Sequence, residues 1–144
     1  MPASSSEFSA GGVVVNDAGE VAVIVPTRRA ADGSRVLALP KGHPDGEETA
    51  VDAALREVRE EAGIDAELVE KLGDVRYFYQ RGGRRIVKVV AFFLLRYTGG
   101  RVDDHDHEVE VARWMPAAQA ARELTYSGER EMVGRALSRL HPGR

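Results

Sequence analysis

Glu57, Glu60 and Glu61 stand at i, i+3 and i+4 in the run Arg56-Glu57-Val58-Arg59-Glu60-Glu61-Ala62-Gly63. An α-helix turns once in about 3.6 residues, so this spacing puts three carboxylates on one face. Ionised together, they repel one another. A hard divalent cation such as Mg²⁺ relieves that repulsion, because it prefers carboxylate, carbonyl and water oxygens. Mn²⁺ suits the same donors, and the residues do not choose between the two. A di- or triphosphate arriving with the cation would complete its coordination. An isolated charge run of this kind is usually a solvated helix face. What distinguishes this one is the loop before it, dense in Gly, Pro, Asp and Glu (residues 41–48). Such a loop brings backbone amides and carbonyls to a helix start, where phosphate oxygens are favoured.

The elements that must position these residues can be read from pattern. Residues 49–62 are Ala-rich, free of internal Pro and Gly, and stop at Gly63, which predicts a helix. Its expected inner face is Ala50, Ala54, Leu55, Val58 and Ala62. Residues 8–15 and 21–26 read as strands around the turn 16–19, and residues 27–35 as a polar loop. Residues 36–39 are a short apolar segment ending at Pro40. Residues 66–80 and 84–98 read as long strands joined at Arg81-Gly82-Gly83. The run from Ile86 to Phe93 is too continuously apolar for an edge and is expected to be central. Residues 99–107 read as a loop, 109–115 as a strand, and 116–122 and 127–140 as helices. The order predicts an α/β fold, a mixed sheet with helices on its faces. One domain is expected over residues 8–141, with residues 1–7 a flexible arm.

Composition narrows the function. Net charge is −3, from 20 basic and 23 acidic side chains, so no basic excess advertises a nucleic-acid duplex. A polyanionic ligand would need a few well-placed cations or a metal. The absence of cysteine excludes disulfides, thiolate zinc sites and a cysteine nucleophile. No apolar run suits a bilayer span, no basic-apolar leader opens the chain, and the cytoplasm is the expected location.

Gly42, Glu48 and the run from Arg56 through Gly63 to Ile64 resemble the Nudix box of the Nudix hydrolases. Ala10-Gly11-Gly12-Val13-Val14-Val15 resembles that family's first strand, and Trp114-Met115-Pro116 its step into the late helices. The resemblance implies an α/β/α sandwich around a mixed sheet. It implies hydrolysis of a nucleoside diphosphate linked to another group, with Mg²⁺ (or Mn²⁺) as cofactor and a small nucleotide as partner. It assigns Glu57, Glu60 and Glu61 to metal binding and catalysis, and Arg56 to orienting a box carboxylate. Gly42 and the Lys41 carbonyl become candidate metal ligands. Gly63 closes the helix. The bracing acid is Glu48 by spacing from Arg56, or Glu47 by its place beside Gly46. The base that takes the water's proton is Glu57 or Glu108, with Glu110 the local rival; Glu108 matches a late acid that also binds metal in relatives. The family leaves monomer and homodimer open.

Pro40-Lys41-Gly42-His43 is similar to the dinucleoside polyphosphate branch, which includes diadenosine tetraphosphate hydrolases. It also occurs in relatives acting on diphosphoinositol compounds and oxidised nucleoside triphosphates. Lys41, His43 and Lys88 are candidate phosphate contacts, within a basic set that includes Arg28, Arg29, Arg84 and Arg85. Lys88 interrupts an apolar strand, where a lysine needs an anionic partner. Tyr77 and Tyr79 share a strand face and are candidates to stack a base, as is Tyr126; core packing is the alternative for the strand pair. Sanitising hydrolysis of 8-oxo-dGTP, cleavage of ADP-ribose or a nucleotide sugar, and a non-catalytic nucleotide-binding module are the rival readings.

Overall fold

Chain order is β1 (Ser5–Val15), β2 (Glu20–Pro26), β3 (Lys41–Gly42), α1 (Ala50–Ala62), β4 (Ile64–Arg81) and β5 (Arg84–Gly100). A 3₁₀ turn (Val102–Asp104), β6 (Val109–Pro116), α2 (Ala117–Glu123) and α3 (Ser127–Leu140) follow. The computed structural model describes residues 5–140. The strands form one mixed sheet in the order β4-β5-β1-β2-β6, with β3 paired to β1. β1 runs parallel to β5, and the other pairings are antiparallel.

Strand side chains alternate between faces. On β5, Val90, Phe92 and Leu94 join one apolar cluster with Val13 and Val15 of β1 and with Met132, Val133 and Ala136 of α3. Their neighbours Ala91, Phe93 and Leu95 join a second cluster with Val14 and with Ala53, Ala54, Val58 and Ala62 of α1. A sheet buried on both faces needs a continuous apolar run rather than an alternating one. The run in β5 therefore lies inside the sheet, between β4 and β1, with α1 on one side and α2 and α3 on the other. The result is an α/β/α sandwich. Among the described residues no helix is long and apolar enough to cross a membrane.

Several boundaries differ from those expected; Pro116, for one, ends β6 rather than opening α2. Ser5, Ser6 and Glu7, expected in the arm, extend β1 and pair with Ile86, Val87 and Lys88. The long β5 offers them backbone partners, which outweighs their weak strand preference. Residues 1–4 of that arm and residue 141 lie outside the described residues. Lys41 and Gly42, expected in a loop, form the short β3 against Ala10 and Gly11. Gly99 and Gly100, also expected in a loop, pair with Asp65 and Ile64. The α1 inner face includes Ala53, which the expected face omits, while Ala50 and Leu55 are half-buried.

α1 has defined ends. Thr49 Oγ1 accepts the Asp52 N–H (3.1 Å), and Asp52 Oδ2 accepts the Thr49 N–H (3.4 Å), a capping box. Gly63 ends the helix at φ 74°, and its N–H donates to the Arg59 carbonyl. A Cβ at Gly63 would sit 2.3 Å from the Arg101 carbonyl oxygen and 2.9 Å from His105 N. Backbone atoms cannot swing aside as a side chain can. Gly63→Ala is expected to destabilise the fold by at least about 1–3 kcal/mol. The check is a urea titration, in which the midpoint should fall with the slope unchanged.

Candidate active site

Arg56 is the hub of the acidic face. Its Nε donates to Glu48 Oε2 (2.8 Å) and its Nη2 to Glu48 Oε1 (3.0 Å), a bidentate pair. Nη2 also donates to the His43 carbonyl (2.9 Å). Nη1 reaches both Glu60 oxygens (3.2 Å each) and Glu57 Oε2 (3.4 Å). These bonds raise the Arg56 pKa above its already high value, the Glu48 pair contributing most. The same pair, with the Asp45 N–H, lowers that of Glu48. The bracing geometry therefore belongs to Glu48, while Glu47 is exposed.

The structure separates the three helix acids. Glu57 and Glu61 line a cleft with Glu108, whereas Glu60 is exposed and bound to Arg56. Glu61 Oε1 accepts the Lys41 N–H (2.8 Å). Burial pushes Glu57 up to about 6, against the opposing charge of Arg56. Burial pushes Glu61 up to about 7, against its bond from Lys41. Glu110 pairs with Arg35 away from the cleft. Among the described residues no three acids or histidines converge into a preformed cation cage.

A hard cation nevertheless fits. Mg²⁺ usually keeps several waters and takes one or two carboxylates plus substrate phosphates, and Glu57 and Glu61 supply two hard oxygen donors. Their ionised forms are disfavoured by burial, a cost that a cation offsets. Gly42 leaves the space that Glu57 occupies: a Cβ there would lie 1.8 Å from Glu57 Oε2 and 2.1 Å from its Cδ.

The acid end is one lobe of a larger cleft. Its volume is about 430 Å³, and a neighbouring lobe of about 620 Å³ shares Arg28, Lys41, Lys88 and Tyr126 with it. The larger lobe is lined by Tyr77, Tyr79, Arg29, Arg76 and Arg81. The Tyr77 and Tyr126 rings meet edge to face at 5.4 Å, and the Lys41 ammonium lies 5.9 and 6.0 Å from their centroids. The Tyr79 hydroxyl bonds Glu7, and Arg81 lies 5.4 Å over the Tyr79 ring. Arg84 and Arg85 line neither lobe; Arg85 lies over Phe78 instead. His43 Nδ1 is 2.9 Å from the Phe8 carbonyl, which can only accept, so Nδ1 carries the hydrogen; Nε2 has no hydrogen-bond partner among the described residues. Lys88 lines both lobes, and burial, reinforced by Lys41 and Arg28, lowers its pKa.

Sequence reasoning missed Glu129. This α3 carboxylate is fully buried and bonded to Lys41 and Tyr77. The signal was present: Glu129, Met132, Val133 and Ala136 repeat at helical spacing, so an acid stands on the apolar stripe.

A six-stranded mixed sheet between α1 and α3, with a glutamate-rich turn of α1 facing a Gly-containing entry strand, defines a Nudix-type domain. The NUDIX domain family matches residues 6–135, and the chain belongs to that family. It is 38% identical over 133 residues to a protein named mutator protein MutT4 of Mycobacterium tuberculosis, covering 88% of this chain and 53% of that one. It is 37% identical over 101 residues to the 8-oxo-(d)GTP phosphatase of Mycolicibacterium smegmatis, covering 70% of this chain and 30% of the relative. The chain thus spans about half, or less, of the length of these relatives. A solved Ap4A hydrolase complex from C. elegans shares the fold, with TM-score 0.68 and 22% identity over 93% of this chain and 97% of that one.

Gly42→Ala tests the fit of Glu57. The added methyl should drive the carboxylate aside and lower Mg²⁺-dependent nucleotide hydrolysis about 10- to 100-fold, with the melting temperature little changed. Unchanged turnover would mean that the Glu57 position is not needed.

Proposed function

We propose that this chain is a divalent-cation-dependent hydrolase that cleaves a phosphoanhydride bond in a nucleoside polyphosphate, with dinucleoside polyphosphates such as diadenosine tetraphosphate as preferred substrates. The observation that carries this reading is the two-lobed cleft, acidic at one end, aromatic and basic at the other, with Arg28, Lys41 and Lys88 at the seam. A polyphosphate across the seam would meet cations along its length while a base enters the larger lobe. The Pro40-Lys41-Gly42-His43 segment and the fold shared with an Ap4A hydrolase support it.

Glu57 and Glu61 would hold Mg²⁺ or Mn²⁺, with backbone oxygen from Lys41 or Gly42. The bound cation supplies Lewis acidity to phosphoryl oxygens and lowers the pKa of water. Arg56 keeps Glu57 in place. Glu108, in the same lobe, is the base we favour for the water's proton, because Glu57 would be taken up in holding the cation. Lys88 and Arg28 neutralise charge on the phosphates, and Tyr126 stacks the base. A second reading is sanitising hydrolysis of an oxidised purine nucleotide, favoured by the relative named 8-oxo-(d)GTP phosphatase.

The deciding assay offers diadenosine tetra-, penta- and hexaphosphate, 8-oxo-dGTP, dGTP and ADP-ribose with Mg²⁺, and resolves products by anion exchange. Fastest release of ATP from the dinucleotides is expected. Faster breakdown of 8-oxo-dGTP would transfer the assignment to the second reading. Nucleotide binding without turnover would make the chain a binding module. Glu61→Gln should reduce turnover about 100-fold while the fold persists.

Lys88 adds a pH dependence. Its charged form binds phosphate, so affinity is present below its pKa and lost as pH rises through it. Because that pKa is lowered, KM should begin to rise below the ordinary lysine range. Lys88→Arg stays charged and should remove this alkaline limb. An identical KM profile in the variant would sink the assignment.

A further inference from the structure

One carboxylate of α3 holds three donors from elements around the cleft. Glu129 is fully buried. Its Oε1 accepts the Leu39 N–H (2.8 Å). Its Oε2 accepts the Tyr77 hydroxyl (2.6 Å) and lies 3.2 Å from the Lys41 ammonium. That ammonium also donates to the Leu39 carbonyl (3.4 Å). Glu129 therefore grips the segment 39–41 at both ends, on either side of Pro40. The Lys41 backbone N–H points the other way, to Glu61 Oε1. The next residue is Gly42, against which the Glu57 carboxylate rests.

We infer that Glu129 is a positioning residue for the cation-binding end of the cleft, acting through a clamp on residues 39–41 that presents the Lys41 amide to Glu61 and seats Gly42 beside Glu57. The inference rests on the cation-dependent reading above. A buried carboxylate with an ammonium partner, a hydroxyl and an amide is fully satisfied, and removing one member leaves the others unpaired in a low-dielectric interior. The segment would then lose its fixed register on α3. The Lys41 amide would no longer meet Glu61 at hydrogen-bond distance.

The clamp also revises the role of Lys41. Two of its three ammonium hydrogens are directed at Glu129 and the Leu39 carbonyl. Its charge is balanced inside the protein, so it serves first as the link between α3 and the acid lobe.

Glu129→Gln tests this, because it keeps the volume and removes the charge. Mn²⁺ binding to the free protein is read by electron paramagnetic resonance, the half-saturating Mg²⁺ by nucleotide hydrolysis, and the fold by thermal melting without metal. Mn²⁺ affinity is expected to fall about tenfold, and the half-saturating Mg²⁺ to rise by the same factor. A lower melting temperature with unchanged Mn²⁺ affinity would overturn the inference, since Glu129 would then serve stability alone. Should Glu129→Gln not fold, Lys41→Met takes its place, because it removes the ammonium arm and keeps the backbone amide. Unchanged Mn²⁺ affinity in that variant likewise overturns the clamp. Wild-type protein that binds Mn²⁺ yet cleaves no nucleotide would remove the hydrolase reading and leave the clamp to the affinities. Wild-type protein that binds no Mn²⁺ would overturn both.

Discussion

Like charge on one helical turn is the constraint around which this domain is arranged. Two unit charges about 5.5 Å apart at an effective permittivity of about 20 repel by about 3 kcal/mol, a large share of a domain's roughly 5–15 kcal/mol. Water screens much of this at Glu60, which is exposed, but little at Glu57 and Glu61. Arg56 answers with its rigid fork of donors: two bonds to Glu48, and contacts to Glu57 and Glu60. A lysine, a single point charge, could not span four partners in fixed directions. The bond from Arg56 to the His43 carbonyl ties the entry loop to the same hub, so balancing charge and shaping the loop are one event.

The two-faced sheet makes that arrangement rigid. Because β5 is apolar on both sides, α1 and α3 can be packed on opposite faces of the same strands. The cleft opens where loops and strand ends from both layers meet, and Lys41 touches both. Its amide reaches Glu61 of α1, and its ammonium reaches Glu129 of α3. A short strand of two residues thus links α1 to α3.

What could be read from the sequence follows from the range of the interactions involved. The C-terminal end of α1 was legible because its cause is local, a glycine after the last helical residue, whereas Thr49, expected inside the helix, is its capping residue. The interior place of β5 was legible because burial on both faces leaves an unbroken apolar run. The acidic face was legible from spacing within one helix, and Arg56 only through the resemblance to the Nudix box. Pairing of Ser5, Ser6 and Glu7 was not, because their strand is imposed by partners in β5 far along the chain. β3 was hidden for the same reason. The turning of Glu60 toward Arg56 was also hidden, since helical spacing fixes a face and leaves the rotamer open. Tyr79 shares a face with Tyr77 as expected, but Glu7 and Arg81 occupy its hydroxyl and ring.

The net charge of −3 does not conflict with a polyanionic ligand. At physiological ionic strength charges are screened beyond about 8 Å, so distant acids matter less than the cations at the cleft. Among those cations, Lys41 is neutralised by Glu129, and Arg81 sits near Glu7 at 3.8 Å. The positive potential at the seam then comes chiefly from Lys88 and Arg28, residues that border both lobes. The lowered pKa of Lys88 is the mark of this arrangement: burial and its cationic neighbours both resist its charge. A phosphate at the seam would relieve both, and a neutral ligand would relieve neither. The cleft therefore places its cations at its middle and its tyrosine rings at its basic end.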